Sequence, residues 1–220
     1  MDLQSSVMQK ATKHVELDDF PSWKRTLDIF GATFGSILFS PIVAIVAIII
    51  FLTDGRPVFF RQQRIGRGGD AFYVYKFRSM RKNAEEVLKT NPEIYKAYVE
   101  NNYKLPEGED PRITWIGHIL RKSSLDELPQ FLNVLKGEMS LVGPRPIVEE
   151  ELAEYGRDAI KFLAMKPGIT GIWQVSGRSS LKYPERAWLE LSYLNKQCLL
   201  FDVKTLFQTV HCVVKRTGAH

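Results

Sequence analysis

Residues 29–52 read IFGATFGSILFSPIVAIVAIIIFL, a stretch of 24 residues that carries no charge and has Pro41 near its middle. Its length suits a helix that crosses a membrane. Pro41 removes a backbone hydrogen bond and clashes with the preceding turn, which costs a straight helix about 3 kcal/mol. The arms 29–40 and 42–52 would each form about 17 Å of helix, roughly half of a bilayer core. The sequence therefore predicts a re-entrant helix-break-helix hairpin that breaks at Ser40-Pro41 and returns to the same face.

Basic residues flank this apolar stretch on both sides. Lys24 and Arg25 precede it, and Arg56 and Arg61 are the first of those that follow. Positive residues mark the cytoplasmic side of membrane segments, so the charges favour the hairpin. A kinked helix that spans the membrane is the alternative, because proline is common in such helices. Trp23, together with Lys24 and Arg25, is typical of an anchor at the level of the lipid headgroups.

The net charge of +5 is concentrated in one block. Residues 56–82 hold eight basic residues against one acid, Asp70, so the block carries +7 and the rest of the chain −2. Beside a membrane segment, such a block indicates attraction to anionic lipid headgroups or phosphate substrates, and it makes nucleic acid the less favoured partner. Cys198 and Cys212 lack metal-site or CxxC spacing and are predicted to be reduced thiols.

The remaining pattern predicts an α+β domain that is mostly helical and contains a β-hairpin. The aromatic and β-branched run 71–77 and the run 57–60 are typical of strands, and the glycine cluster 66–70 is typical of the turn between them. Helices are predicted at 82–101 with an interruption at Pro92, and at 114–122, 127–135, 149–163, 184–195 and from 203 onwards. Residues 166–178 suggest a loop and a short strand. The last helix either packs on the core or lies on the membrane as an interfacial amphipathic helix.

The pair Asp126-Glu127 is the sharpest candidate for chemistry. Pro129 is tolerated only in the first turn of a helix, so Asp126 is predicted to be the N-cap of helix 127–135. At that position an aspartate could attack phosphorus, and the adjacent glutamate could hold a divalent cation. Nearby basic residues could neutralise the phosphate oxygens, namely Arg121, Lys122 and Arg145. The alternative is plain helix capping, which aspartate performs in many proteins.

These residues belong to a wider set of motifs. The set comprises the basic-flanked stretch with Ser40-Pro41, KFRSM at 76–80, DPRIT at 110–114, RKSSLDELPQ at 121–130, GEMSLVGPRP at 137–146 and KPGITG at 166–171. With it, the chain resembles the bacterial monotopic phosphoglycosyl transferases, the sugar transferases that start glycan assembly on polyprenyl phosphate. The resemblance covers about residues 22–218. The stretch WQVSGR at 173–178 and the tail RTGAH at 216–220 look most like the members that move galactose phosphate or glucose phosphate.

The resemblance implies a role for each site residue. Asp126 would be the nucleophile, and Glu127 would be a Mg²⁺ ligand or a general-acid partner. The residues implied to contact phosphate or nucleotide are Lys76, Arg78, Arg121 and Arg145. Asp202 fits the place of an acidic residue that the family carries near its end, and it is included among the predicted substrate-binding residues.

The implied activity is transfer of hexose-1-phosphate from a UDP-hexose to undecaprenyl phosphate with release of UMP. This would be a first membrane step in the assembly of exopolysaccharide, capsule or O-antigen, at the cytoplasmic face of the bacterial inner membrane. The expected organisation is an N-terminal extension (1–22), the re-entrant hairpin (23–55) and a cytosolic catalytic domain (56–220). Longer members of the family carry further segments before this core, so the chain is expected to be either a minimal member or an excised catalytic unit.

Two other functions and one assembly state stay open at this point. A transferase with several membrane spans would need further long apolar stretches. A non-catalytic scaffold that binds lipid phosphate would explain the basic block and the hairpin, but not the Asp-Glu pair among arginines. A homodimer is compatible with the sequence, and inner-membrane lipids are expected partners while nucleic acid is not.

Overall fold

The structure, a computed structural model, describes residues 19–100, 105, 108, 110–177 and 181–215. Over these residues the chain is mostly helical with two two-stranded sheets, which confirms the predicted class. The helices are α1 (Ser22–Asp54), α2 (Ala84–Lys89), α3 (Pro92–Glu100), α4 (Trp115–Ser123), α5 (Phe131–Lys136), α6 (Ala159–Leu163), α7 (Ile172–Val175), α8 (Glu185–Lys196) and α9 (Leu199–Lys215). The strands are β1 (Phe59–Ile65), β2 (Ala71–Phe77), β3 (Ser140–Val142) and β4 (Gly168–Thr170). Most of the predicted extension 1–22 and the tail 216–220 lie outside the described residues.

The apolar stretch forms one continuous helix, α1, with Pro41 inside it. The helical hydrogen-bond pattern therefore continues through Pro41, and the bend of the two arms at Ser40-Pro41 stays a prediction. Because Pro41 has no N–H, the carbonyl of Ile37 loses its usual partner, but the hydroxyl of Ser40 donates a hydrogen bond to that carbonyl at 2.8 Å. The helix is long and apolar enough to cross a membrane. The return of the chain to the same face stays a prediction.

Both ends of α1 are attached to the globular part of the protein. At its start, the buried amino group of Lys24 contacts the carboxylate of Asp202, the Tyr193 hydroxyl at 2.8 Å and the Val142 carbonyl at 2.9 Å. At its end, the guanidinium of Arg78 donates to the carbonyls of Asp54 and Gly55, both at 2.8 Å. A cation at the C-terminus of a helix interacts favourably with the helix dipole.

One side of α1 exposes large apolar side chains while the other side packs on protein. Phe30 is 73% exposed and Ile37 is 70% exposed. In contrast, Gly35 lies so close to the Phe131 ring that an added Cβ would meet it at 2.7 Å. The exposed surface is what a lipid environment would cover, and the close packing at Gly35 fixes the helix against α5.

The amino group of Lys24 is buried in the protein, so the prediction that it anchors the chain at lipid headgroups is wrong. For Trp23 and the partly exposed Arg25, the anchor stays a prediction. Arg25 donates to the carbonyls of Val134 and Leu135 at 2.7 and 2.8 Å, at the end of α5. A sequence pattern cannot distinguish cations that face lipid phosphate from cations that cap a neighbouring helix.

The predicted β-hairpin is confirmed, although β1 extends to Ile65 instead of ending at Phe60. In its antiparallel register Phe60 lies opposite Lys76, and Arg64 lies opposite Phe72. The free edge of β2 is covered by a side chain, because Asn133 of α5 bonds the Tyr73 carbonyl and the Tyr75 N–H at 2.6 and 3.0 Å. The second sheet, a parallel pair of β3 and β4, joins segments that the sequence analysis did not pair.

The helix predictions hold in most places. Pro92 separates α2 from α3 as expected, α4 and α8 lie where predicted, and Gly156 interrupts the segment 149–163. Helix α9 buries Asp202 and Thr205 against the core, whereas Leu200 is 82% exposed and Phe207 is 73% exposed. One side of α9 therefore packs on the protein, and Leu200 and Phe207 lie on the open side.

Candidate active site

The carboxylate pair lies in a tight turn between two helices. Helix α4 ends at Ser123, and Ser124 adopts a left-handed conformation with φ of 57°. A 3-10 turn, Leu125–Gln130, follows and leads directly into α5, which ends at Gly137 as predicted. Asp126 lies inside this turn and occupies the N-cap position of neither helical segment, so its predicted capping position is wrong. Capping consequently does not account for Asp126.

Asp126 is held away from water among charged groups. Asp126 is only 9% exposed to solvent. Burial, followed by the charge of the adjacent Glu127, raises the pKa of Asp126 to about 6. Three cations oppose this effect, namely Lys76, Arg121 and Arg145. The structure thus brings four of the predicted site residues around Asp126.

Glu127 is contacted by cations from two different elements. Lys76, on β2, places its amino group 2.7 Å from Oε1 of Glu127. Arg145, in the loop after β3, places Nη1 at 3.5 Å from the same oxygen. The pair Asp126-Glu127 therefore forms the centre of a cluster that joins the β-hairpin, the 3-10 turn and the loop after β3.

The loop that carries Arg145 is fixed by close backbone packing. The N–H of Gly143 donates to the Thr170 carbonyl at 2.8 Å, and the N–H of Gly168 donates to the Pro144 carbonyl at 2.8 Å. A Cβ on Gly143 would meet the Lys166 carbonyl oxygen at 2.3 Å, which explains why glycine stands there. The segments 137–146 and 166–171 thus act as one structural unit that presents Arg145.

A buried network behind Arg145 was not found from the sequence. Glu190 of α8 accepts a hydrogen bond from the backbone N–H of Arg145 at 3.1 Å and another from the Tyr155 hydroxyl. The Arg145 guanidinium lies 5.5 Å from the ring centroid of Trp173, and Arg186 lies 4.6 Å from the same ring. These residues come from distant parts of the chain, and only the GPRP and WQ stretches gave any local signal.

Arg121 approaches the pair from the last turn of α4. Its Nε donates to the Ser79 hydroxyl at 2.9 Å. Thr114 caps the start of this helix by accepting from Gly117 N–H at 3.1 Å. Ahead of the helix, Arg112 forms a two-pronged contact with Asp110 at 2.8 and 2.7 Å. The DPRIT motif therefore serves to hold α4, and through it Arg121, in place.

Two predicted substrate-binding residues are placed elsewhere. The nitrogen Nη2 of Arg78 is bonded to the end of α1, as described above. Asp202 is fully buried, accepting from Lys24 and from the Tyr193 hydroxyl, the latter at 2.7 Å. The structure therefore gives both residues a part in attaching α1, and their contact with substrate stays a prediction. Ser40 and Pro41 lie in the middle of α1, where the sequence placed them.

The two carboxylates provide donors that fit Mg²⁺. Magnesium in nucleotide and phosphate enzymes is commonly held by one or two carboxylates together with substrate phosphates. Asp126 and Glu127 supply two such groups side by side, and the charge of Glu127 already disfavours ionisation of Asp126. Among the described residues no cluster of three or more metal-binding side chains exists, and binding of Mg²⁺ stays a prediction.

Comparison with known proteins gives a consistent result. The family described as "Bacterial sugar transferase" matches residues 20–216. The chain is 46% identical over 205 residues to the undecaprenyl-phosphate galactose phosphotransferase of Salmonella typhimurium, covering 90% of this chain and 41% of that protein. It is 40% identical to the exopolysaccharide production protein ExoY of Rhizobium meliloti, covering 90% and 88%. It is 37% identical to the UDP-glucose:undecaprenyl-phosphate glucose-1-phosphate transferase of Escherichia coli, covering 85% and 39%. The chain thus spans about two fifths of the Salmonella and Escherichia proteins.

Proposed function

Because the chain belongs to the bacterial sugar transferase family, we propose that it transfers hexose-1-phosphate from a UDP-hexose to undecaprenyl phosphate and releases UMP. The observation that carries the proposal is the carboxylate of Asp126, shielded from solvent and surrounded by Lys76, Arg121 and Arg145. This is the environment that a carboxylate needs in order to meet a phosphate anion. The names of the relatives make galactose or glucose the favoured hexose.

In the first step, a carboxylate oxygen of Asp126 attacks the β-phosphorus of the UDP-hexose. A bond forms between that oxygen and phosphorus, and the bond from phosphorus to the bridging oxygen breaks. UMP leaves with the bonding electrons, and the hexose phosphate stays on Asp126 as an acyl phosphate. With a pKa of about 6, Asp126 is largely ionised near pH 7 and can act as the nucleophile without a separate base.

In the second step, an oxygen of the lipid phosphate attacks the same phosphorus. The acyl–phosphate bond breaks, the Asp126 carboxylate is restored, and the product is a lipid diphosphate that carries the hexose. Each step exchanges one P–O bond for another, so no oxidant or other co-reactant is required. A reaction of this form shows ping-pong kinetics, because UMP leaves before the lipid reacts.

The cations around the pair stabilise the charge that builds up on phosphorus. Lys76 and Arg145 contact Glu127 at 2.7 and 3.5 Å and are within reach of a phosphate bound beside it. The charge of Arg121 also favours the ionised form of Asp126. Glu127 would hold Mg²⁺, which would supply positive charge that lets the Asp126 carboxylate meet a phosphate anion.

We place the protein at the cytoplasmic face of the bacterial inner membrane, with α1 re-entrant. Both ends of α1 are bonded to the same globular part, through Lys24 and through Arg78. If α1 crossed the bilayer, one of these attachments would have to lie on the far side. The +7 block 56–82 adds attraction to anionic headgroups. This location would let a lipid phosphate and a soluble nucleotide sugar reach one site.

The lipid acceptor places the reaction at the start of glycan assembly on a membrane carrier. The Rhizobium relative is named for exopolysaccharide production, and a 45% identical relative from Streptococcus agalactiae is named galactosyl transferase CpsE. We therefore propose a role in the first membrane step of exopolysaccharide, capsule or O-antigen assembly.

The test is the isolated first step. Protein in nanodiscs is incubated with UDP-hexose and Mg²⁺ without lipid acceptor, quenched, digested and examined by mass spectrometry. We expect one equivalent of UMP and a hexose phosphate on the peptide that contains Asp126. Asp126→Asn should abolish both signals. The matched control is Asp158→Asn, an exposed aspartate paired only with Lys161 in the described contacts, and it should behave as wild type.

Two results would count against the proposal. UMP release that requires the lipid acceptor would indicate direct transfer without a covalent intermediate. Absence of turnover with any UDP-hexose, combined with binding of lipid phosphate, would indicate a scaffold instead of an enzyme.

A further inference from the structure

The inner face of the β-hairpin carries two cations at its two ends. In the antiparallel register Phe60, Gln62 and Arg64 lie opposite Lys76, Val74 and Phe72. Side chains of directly opposed residues point to the same face of a sheet. Phe72 and Val74 are buried in the core, so this is the face that packs on the protein. Lys76 and Arg64 therefore share that face, about 13 Å apart along β2 at 3.3 Å per residue.

Arg145 links these two cations into a row, because it contacts the carboxylate that Lys76 also contacts and its charge acts on Arg64. Its guanidinium is 3.5 Å from the Glu127 carboxylate that also contacts Lys76. It is also close enough to Arg64 that its charge, after burial, lowers the pKa of Arg64. Lys76, Arg145 and Arg64 thus form a line of positive charge that begins at the carboxylate pair and runs outward along the hairpin.

Arg64 is oriented by its neighbours but is not enclosed by them. Its Nη2 donates to the Gln62 side chain at 2.7 Å, and its Nη1 lies 3.4 Å from Glu151. Glu151 also contacts Arg186 at 3.3 Å, so one carboxylate is shared by two guanidinium groups. Arg64 remains partly exposed to solvent. Three cations that follow one another in this way suit a ligand with several negative charges, which could compete with Glu151 for the Arg64 guanidinium.

We propose that Arg64 binds the phosphate of the departing nucleotide, that is, the α-phosphate of the UDP-hexose and the phosphate of UMP. This inference rests on the proposed function. With the β-phosphorus at Asp126, the α-phosphate must extend away from Asp126. Along the row of cations towards Arg64, the α-phosphate would meet positive charge. Arg64 would stabilise UMP as it leaves.

The position of Arg121, on the other side of Asp126 from Arg64, favours the nucleotide over the lipid as the ligand of Arg64. Arg121 follows Leu120, which packs with Ile116 against Val46 and Ile50 of α1. That side is adjacent to the helix that contacts the membrane. Arg64 lies at the opposite end of the hairpin, about 13 Å from Lys76 along the strands, and its neighbour Ile65 pairs with Ile147. A soluble nucleotide is therefore the better match for Arg64.

The experiment measures UMP binding without turnover. Titration calorimetry of nanodisc protein with UMP and Mg²⁺ compares wild type, Arg64→Gln and Arg64→Lys. A charge-assisted hydrogen bond contributes about 1.5–3 kcal/mol, so we expect Arg64→Gln to weaken UMP about ten- to a hundredfold and Arg64→Lys to weaken it less. The KM for UDP-hexose should rise in parallel.

Arg61→Gln is the matched control. Arg61 lies on the same strand but on the opposite face, over the Tyr73 ring at 5.1 Å, so the same change in charge should leave UMP affinity unaltered. Thermal unfolding of each variant reports whether the fold is retained. If Arg64→Gln is less stable, the comparison uses Arg64→Lys, which keeps the charge but loses the two-pronged geometry of the guanidinium.

A second readout separates this inference from the proposed reaction. Transfer of hexose phosphate from preloaded Asp126 to the lipid should proceed at the wild-type rate in Arg64→Gln, because the nucleotide has already left. Unchanged UMP affinity in Arg64→Gln, or equal loss in Arg61→Gln, would overturn the role of Arg64. If no Asp126 adduct forms in wild type but Arg64→Gln still loses UMP, the covalent reaction fails and the nucleotide site stands.

Discussion

Replacing Asp126 by asparagine should abolish turnover and at the same time stabilise the folded protein. The carboxylate is buried beside Glu127, and both effects disfavour its charged form. Asparagine has nearly the same shape but no charge to bury. An active-site group that is strained in this way is held for its function and not for stability.

The magnitude follows from the shift in pKa. The pKa of Asp126 rises from 3.8 to about 6 on folding, a change of about two units. At 1.36 kcal/mol per unit, the charged form is disfavoured by about 3 kcal/mol in the folded state. For a protein of this size, that corresponds to a rise in Tm of about 6–12 °C.

The direction of the pKa shift of Asp126 sets the pH range over which the stability of the protein changes. The folded-state pKa is the higher one, so the stabilisation that protonation brings is fully present below pH 3.8 and is lost as the pH rises through 6. Asparagine mimics the protonated form at every pH. The advantage of Asp126→Asn should therefore be about 3 kcal/mol at pH 8 and decline to about 1 kcal/mol at pH 4.5.

Thermal unfolding in nanodiscs, followed by tryptophan fluorescence between pH 4.5 and pH 8, measures this difference. EDTA is present and substrate is absent, because bound Mg²⁺ or phosphate would change the pKa of Asp126. Asp158→Asn, at an exposed position, should change stability by less than about 0.5 kcal/mol at any pH. A loss of stability in Asp126→Asn at pH 8, or an advantage independent of pH, would refute the account of a buried, disfavoured charge.

Three further predictions follow from the contacts around the site and at the ends of α1. Glu127→Gln should lower turnover at least tenfold, and the acid limb of its pH–rate profile should move to lower pH, since the charge of Glu127 raises the pKa of Asp126; an unmoved limb would contradict the coupling. Lys24→Met should lose about 3–5 kcal/mol of stability by leaving Asp202 buried and unpaired, and Asp202→Asn in the same background should recover part of it in thermal unfolding. Single cysteines at Ser22 and Arg56, in a background without the native cysteines, should react with impermeant reagents only from the cytoplasmic side; labelling of either from the periplasm would exclude the re-entrant arrangement.

Local signals predicted the carboxylate pair, while the network behind it required the structure. Asp126 and Glu127 are adjacent, and the basic residues in the nearby motifs marked them. Glu190 and Arg64, in contrast, are far from Arg145 in the sequence. Glu190 lies 45 residues after Arg145, in a segment that looks like an ordinary helix, and Arg64 lies 81 residues before it, in a segment that looks like an ordinary strand. No spacing rule connects such positions, because their contact depends on how the hairpin and α8 pack together.

The interpretation of Pro41 shows how one neighbouring residue changes the outcome. Proline lacks the N–H that would bond the Ile37 carbonyl in a regular helix, so that carbonyl needs another donor. Ser40 supplies the missing donor for the Ile37 carbonyl from within the same turn, and the helix continues. In the same way, Pro129 correctly indicated a helix start near Asp126, but the chain met the constraint with a 3-10 turn that began at Leu125.

The attachment of α1 explains why the membrane segment and the catalytic pair belong to one fold. Ile116 and Leu120 of α4 pack against Val46 and Ile50 of α1, and the next residue, Arg121, faces Asp126. If α1 lies in the bilayer as proposed, its depth sets the height of the Asp126 carboxylate above the headgroups. A phosphate that is tethered to a long lipid cannot rise far from that level. The proposed reaction therefore requires Asp126 to come down to the lipid phosphate, and a helix bonded at both ends to the globular part provides a rigid way to do so.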